Sequence, residues 1–362
     1  MLKKWFLMKN IFDQKESLLV KAEEVVRKTL SPIPFIKIIS IEKMVMLGNQ
    51  TADLVIGVQI KDHKKDLIIK VNNNGEPRFA RQAVNHLLRF RNDRADCYCI
   101  FMAPYISGET AGICLQDEIG SVDFAGNCRI FFDRVFLEKK GNPNPYTQKR
   151  VLHTLFSPAA SRILRVMITQ PKKKWKIKEM AAEAKVSVGL VANVRKLLLD
   201  REWIQAEWGN FTLEKPVLLL AEWVNNYNFR KNRIFTYYTL ENPPGMESLI
   251  AKICQQKNIR YALTGFSAAA RLAPAVRYNR SMIYVEAITE ELIHELSIKP
   301  VTSGANVLLL LPFDEGVFHH VMKVDKISLV TPVQAYLDLV GFRGRGEESA
   351  KVLLEQVIKP KW

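Results

Sequence analysis

One short stretch of this chain gathers residues suited to gripping a polyanion. Lys172, Lys173 and Lys174 run consecutively, Lys178 follows, and Asn193, Arg195, Lys196 and Asn210 lie a little further on. Ammonium and guanidinium groups neutralise phosphates, and Asn reads base edges. Small residues among them, Gly189 and Ala192, would let a helix backbone settle into the groove of a duplex. The overall charge agrees with such a partner. Lys and Arg number 53 against 37 Asp and Glu, a formal charge of +16, and residues 151–215 alone carry 12 basic and 6 acidic side chains. An excess of that size favours an anionic ligand.

Other chemistry finds less support. The six histidines, His63, His86, His153, His294, His319 and His320, are scattered, with no GxSxG elbow, HExxH helix or phosphate-binding Gly-Lys loop around them. His319 and His320 are adjacent; on a strand they would point to opposite faces, so they are expected at the surface, with no metal bound. Cys97, Cys99, Cys114, Cys128 and Cys254 are odd in number and lack zinc spacing. They read as reduced, buried thiols. The basic N-terminus has too short an apolar stretch for a signal peptide, and the longest apolar run elsewhere, Val307 to Pro312, falls far below the roughly 20 residues of a membrane span. A cytoplasmic protein without membrane contact or cofactor is the expectation.

Defined elements must hold the basic residues in place. Ser157-Pro158 is an N-cap followed by proline at the first helical position, with Ile163, Leu164, Val166 and Met167 as the apolar face. After the basic, strand-like Lys172 to Ile177, residues Lys178 to Ala184 form a short helix. Lys185-Val186-Ser187 turns, and Ser187 caps a longer helix, Val188 to Arg201. There Leu190, Val191, Val194, Leu197 and Leu198 recur at helical spacing, leaving Gly189, Ala192, Asn193 and Lys196 facing outward. Trp203 to Ala206 and Phe211 to Leu213 flank Trp208-Gly209-Asn210, which has hairpin turn chemistry. Helix, helix, tight turn, capped helix and hairpin make a winged helix-turn-helix at residues 151–215. The expected DNA-binding residues are Lys173, Lys174, Lys178, Ser187, Gly189, Asn193, Arg195, Lys196 and Asn210.

On the N-terminal side, residues 1–140 read as an α/β domain, joined through a Pro- and Asn-rich linker at 141–150. A helix at Lys15 to Leu30 precedes strands at Phe35 to Ile41, Ala52 to Ile60 and Lys65 to Val71. A helix at Arg78 to Arg91 and strands at Cys97 to Ala103 and Ile130 to Glu138 follow. This order resembles the PD-(D/E)XK restriction-endonuclease fold, in which an Asp and a Glu-x-Lys hold magnesium beside a scissile phosphate. The resemblance supplies Asp53 and Lys70. Ile68 stands where the second carboxylate belongs, and Gln59-x-Lys61 is too close to Asp53 on the same strand. The pair is therefore expected to be vestigial, with Asp53 at a sheet edge and Lys70 paired or exposed.

Ala103-Pro104-Tyr105-Ile106-Ser107, Val122-Asp123-Phe124-Ala125-Gly126-Asn127 and Gly141-Asn142-Pro143-Asn144-Pro145 occur in that order before the helix-turn-helix. They resemble segments of AbiEi-type antitoxin regulators of type IV toxin–antitoxin systems, where "APYIS", "LDLAGN" and "GNPNP" precede a winged helix. Asp123 and Asn127 are candidates for function or, more simply, for stabilising the turns. Residues 216–362 extend the likeness. Arg260 to Leu272 reads as a strand, a Gly turn and a helix, with strands at Met282 to Ala287 and Val307 to Leu311. That pattern resembles a nucleotidyltransferase core, whose paired carboxylates alternate on the strand after the turn. Glu286 supplies one, but Tyr284 occupies the other place, so transfer chemistry is not expected. The helices Val333 to Val340 and Glu347 to Val357 flank a Gly-Arg-Gly loop that reads as solvated.

The sequence thus implies a multidomain α/β (α+β) protein that binds operator DNA and represses its own toxin–antitoxin operon. Double-stranded DNA, a cognate toxin and a second copy of the chain are the implied partners. Two alternatives stand beside it: a metal-dependent nuclease using Asp53 and Lys70, and a protein that only sequesters a partner.

Overall fold

Two-residue alternation shapes the first half of the chain, as seen in a computed structural model that describes residues 2–94, 96–133, 135–145 and 155–362, with side chains from Lys15 onward. The chain divides into two compact units, Met1–Gln148 with Asp200–Glu202, and Lys149–Leu199 with Trp203–Trp362. The expected linker residues 146–150 and the first residues of the 151–215 segment, 151–154, lie outside the described residues.

In the first unit, helix α1 (Leu2–Leu30) leads into strands β1 (Ile36–Leu47), β2 (Gln50–Ile60) and β3 (His63–Val71). Helix α2 (Pro77–Asp93), strand β4 (Cys97–Ala103), helix α3 (Gly108–Gln116) and strands β5 (Gly120–Asp123), β6 (Cys128–Phe132) and β7 (Val135–Lys139) follow. The seven strands form one sheet in sequence order, antiparallel except for β3 to β4 and β4 to β5, where α2 and α3 make the crossovers. Side chains alternate across the sheet. Leu54, Ile56, Leu67, Ile69, Ile100 and Met102 pack on one face with Leu19, Ala22 and Val26 of α1; Ile68, Cys99 and Phe101 pack on the other with Ala83, Leu87 and Phe90 of α2. Each such fully buried aliphatic side chain contributes about 1.5–3 kcal/mol.

Sequence and structure differ at two places here. The single strand expected at Ile130 to Glu138 is a hairpin of β6 and β7, broken where Asp133 takes a φ of 50°. Strand β5 occupies part of the segment read as a loop. All five cysteines are buried, free thiols.

The second unit begins with helix α4 (Pro158–Thr169), strand β8 (Trp175–Lys176), helices α5 (Ile177–Glu183) and α6 (Val188–Asp200), and strands β9 (Ile204–Glu207) and β10 (Asn210–Leu213). A three-stranded sheet runs β8-β10-β9. Helix α7 (Pro216–Asn226) leads to strand β11 (Arg233–Tyr238), helix α8 (Pro243–Gln256), strand β12 (Tyr261–Leu263), helix α9 (Gly265–Leu272), strand β13 (Ser281–Val285), helix α10 (Glu290–Glu295) and strands β14 (Lys299–Pro300), β15 (Val307–Leu311), β16 (Met322–Val324) and β17 (Ile327–Leu329). Helices α11 (Pro332–Val340) and α12 (Arg345–Leu353) come last. The strands make a mixed sheet of order β14-β11-β15-β13-β12-β17-β16.

Residues 151–215 and 216–362, read as separate segments, share one hydrophobic cluster that runs from Leu155 to Ile358. Helix α4 makes the link: Leu164, Val166 and Met167 are fully buried, and α4 packs against α11. Among the described residues, no helix is long and apolar enough to cross a membrane.

Candidate nucleic-acid interface

The basic run Lys172 to Lys174 lies in the turn before β8 and a short helix pair follows it. Ala184 ends α5, Lys185 takes a φ of 53°, and the chain turns through Val186, whose amide donates to the Ala181 carbonyl at 3.0 Å. The Ser187 Oγ accepts from the Leu190 amide at 3.2 Å, which starts α6 where the cap was expected. Val191, Val194 and Leu198 are fully buried. On the opposite side Val188, Gly189, Ala192, Asn193 and Lys196 are all exposed and make one continuous stripe. A Cβ built on Gly189 meets nothing within 4 Å, so the space before this stripe is open.

Strands β9 and β10 pair with Glu207 opposite Asn210, which leaves Trp208 and Gly209 as a two-residue turn. Both take positive φ, 48° and 83°, the backbone of a primed hairpin turn. Glycine adopts that φ without strain, whereas Trp208 does not. Trp208 is 99% exposed at the tip. Sequence reasoning read this residue only as turn chemistry.

Of the residues expected to meet DNA, Lys174, Lys178, Gly189, Asn193 and Lys196 are exposed. Lys172, Lys176 and Lys185, also exposed, were not assigned that role. Other expected residues are engaged within the fold instead. Lys173 pairs with Glu179 at 2.9 Å and lies 3.7 Å above the Trp175 ring. Arg195 is half-buried with its guanidinium over Phe211, because position 195 flanks the buried Val194. Ser187 is committed to its cap, and Asn210 is half-buried at the base of the hairpin.

Asp53 and Lys70 of the first unit are brought together, although not at a sheet edge. Asp53 lies on β2, between β1 and β3, and is 1% exposed. Its carboxylate pairs with Lys15 at 3.0 Å and Lys70 at 3.1 Å and accepts from the Val71 amide at 3.0 Å. Two ammonium groups hold the oxygens that magnesium would need. Magnesium-dependent nicking of plasmid is accordingly expected at background level; nicking that disappears in Asp53→Ala would overturn this.

Asp123 and Asn127 bind the turns around them. The Asp123 carboxylate accepts from the Ile106 amide at 3.2 Å and the Asn127 amide at 2.8 Å, and Asn127 exchanges bonds with the backbone of Asn142 at 2.9 and 3.1 Å. Thus the three short motifs are tied to one another by two side chains. In the mixed sheet, Glu286 follows the end of β13 and pairs with Arg260 at 2.8 Å, and that arginine holds its carboxyl below the usual range.

At the centre of the second unit lies a buried polar network that nothing in the sequence pattern announced. Asp338 accepts from Tyr227 and Thr264, each at 2.5 Å, from the Gln334 amide at 2.8 Å and from Tyr284 at 3.2 Å. Arg165 of α4, 3% exposed, donates to the Gln334 carbonyl oxygen and lies 5.2 Å from the Trp223 ring. Burial raises the pKa of Asp338 and lowers that of Arg165.

Residues 212–359, less than half of the chain, match the family model described as transcriptional regulator, AbiEi antitoxin, type IV TA system. The recognised family is borne out over those residues; the nuclease-like reading of residues 1–140 lies outside the match. A search of curated proteins finds no match. Two solved structures are similar to part of the chain. The structure of an EndoMS–dsDNA2 complex has a TM-score of 0.22 and 13% identity, covering 28% of this chain and 41% of that one. EndoMS in apo form gives 0.20 and 15%, covering 27% and 43%. The chain thus spans about two fifths of the length of those structures.

Proposed function

From the match of residues 212–359 to AbiEi antitoxins of type IV systems, we propose that this protein is a DNA-binding transcriptional regulator of antitoxin type that represses its own operon. Residues 158–213 act as a winged helix-turn-helix: α6 enters the major groove, Lys174, Lys178 and Lys196 contact phosphates, Asn193 reads a base edge, and the hairpin bearing Trp208 is the wing. The observation that carries this reading is the exposed stripe of Gly189, Ala192, Asn193 and Lys196 on a helix capped by Ser187. Paired molecules would occupy repeated half-sites one or more helical turns apart. Residues 216–362 form a nucleotidyltransferase-like lobe without transfer activity that faces a cognate toxin, and residues 1–140 form a restriction-endonuclease-like domain without nuclease activity.

A footprint on the DNA upstream of the protein's own gene tests the proposal. Protection of repeated sites at concentrations that leave random duplex unprotected is the expected result. Equal affinity for promoter and random duplex would refute operator recognition, and a toxin complex formed without any duplex affinity would favour pure sequestration.

A further inference from the structure

His319 and His320 do not lie on a strand. They follow a short 3₁₀ turn, Glu315–Phe318, and His320 adopts a φ of 50°. That left-handed residue brings the two rings to the same side, with centroids 4.0 Å apart and planes inclined by 67°. Both face Glu183, the last residue of α5: its Oε1 lies 3.2 Å from His320 Nε2 and 3.7 Å from His319 Nε2. The expectation that these histidines point apart is thus corrected, and the cause is the positive φ.

We propose that Glu183, His319 and His320 form a three-ligand site for a divalent transition cation of the zinc class. The donor set is two imidazoles and a carboxylate, which suits zinc and its neighbours better than magnesium or calcium. One ligand atom from each residue lies within 4.8 Å of the others. A zinc tetrahedron with bonds of about 2.0–2.2 Å has edges of about 3.3–3.6 Å. The two edges at Glu183 already stand near that length, so small side-chain rotations complete the triangle. A second observation points the same way: the His319 Nε2 is buried and has no hydrogen-bond partner among the described residues, a cost the fold carries unless something else meets that nitrogen.

Neighbouring residues hold the turn in place. Asp314 accepts from the Gly316 amide at 2.8 Å and is gripped by Arg162 of α4 at 2.7 and 3.0 Å. A Cβ on Gly316 would lie 2.6 Å from the Asp314 carboxylate, so a side chain at this position would have to displace that carboxylate. Gln170 meets His320 Nε2 at 3.2 Å, an interaction that metal binding would replace. A fourth position is left for water or an incoming side chain, beside a cavity of about 270 Å³ lined by Ile168, His320, Met322 and Trp362. Occupancy would cross-link the first helix of the turn to the loop after β15.

Calorimetric titration of zinc chloride into the tag-free, chelator-stripped full chain tests the site. One equivalent is expected to bind, with a rise in the unfolding temperature. Cobalt(II) in place of zinc is expected to give the visible spectrum of a four-coordinate ion. His320→Ala and Glu183→Gln, both at partly exposed positions where little packing is removed, should each weaken zinc binding by about 100-fold or more while leaving circular dichroism in chelator unchanged. Absence of saturable zinc binding would overturn the proposal, as would unaltered affinity and stoichiometry in both variants.

Discussion

Asp338→Ala is expected to destabilise the second unit by about 3–5 kcal/mol, the usual consequence of removing one member of a buried charged network. The variant strips Tyr227, Thr264, Tyr284 and Gln334 of a shared acceptor and leaves the Arg165 guanidinium with less compensation in a site that is 3% exposed. Chemical denaturation followed by circular dichroism would show the shift, and a change under about 1 kcal/mol would mean that the network contributes little beyond its packing. The same residue sets a pH dependence. Burial, the dominant influence, raises its folded pKa above the ordinary 3.8. Between the two values the native state binds the proton more tightly than the unfolded chain. Stability from this group is therefore fully present below the unfolded pKa and declines as pH rises through the folded one. In Asp338→Asn, which does not titrate, that part of the slope should vanish.

Reversing the charge of Lys174, Lys178 and Lys196 together should lower affinity for operator duplex by at least about a hundredfold and flatten the log–log salt dependence by about three, one for each phosphate that is no longer neutralised. All three are exposed, so stability should change little. Gly189→Glu separates DNA binding from folding more sharply. Nothing lies within 4 Å of the added Cβ, and replacing glycine inside a helix is stabilising by roughly 0.5–1 kcal/mol. The carboxylate, however, would stand where a phosphate or base edge belongs. Fluorescence anisotropy across a salt series measures both variants. Native affinity in Gly189→Glu would remove α6 from the groove.

How much was legible in the sequence depended on how local the cause was. The capped helix at Ser187 and the stripe at Gly189, Ala192, Asn193 and Lys196 follow from hydrophobic spacing and one side-chain hydrogen bond, both visible in a short window. Strand β5 was hidden because Val122-Asp123 is followed at once by a turn, so only pairing with β4 reveals it. The fates of Arg195 and Lys173 depend on the distant Phe211 and on Trp175, and a run of charges does not disclose which members are engaged. Asp53 illustrates the same limit: Lys15, on another element, decides what its carboxylate meets. The polar network at Asp338 joins α4, the N-cap of α9, α11, β13 and the segment just after α7, and it has no signature at any one position. His319 and His320 converge on Glu183 only because of a single backbone dihedral.

The hydrophobic cluster that continues from Leu155 to Ile358 also bears on how the second unit can be taken apart. The segment of α5, α6 and the β9–β10 hairpin, whose supporting helix α4 packs against α11, is not a detachable cassette: severed near residue 215, it would expose the apolar flank of α4 to water and forfeit the partner it leans on. Loosening of the mixed sheet would then reach the segment that carries α5 and α6 as a shared loss of order rather than as a message passed along a hinge.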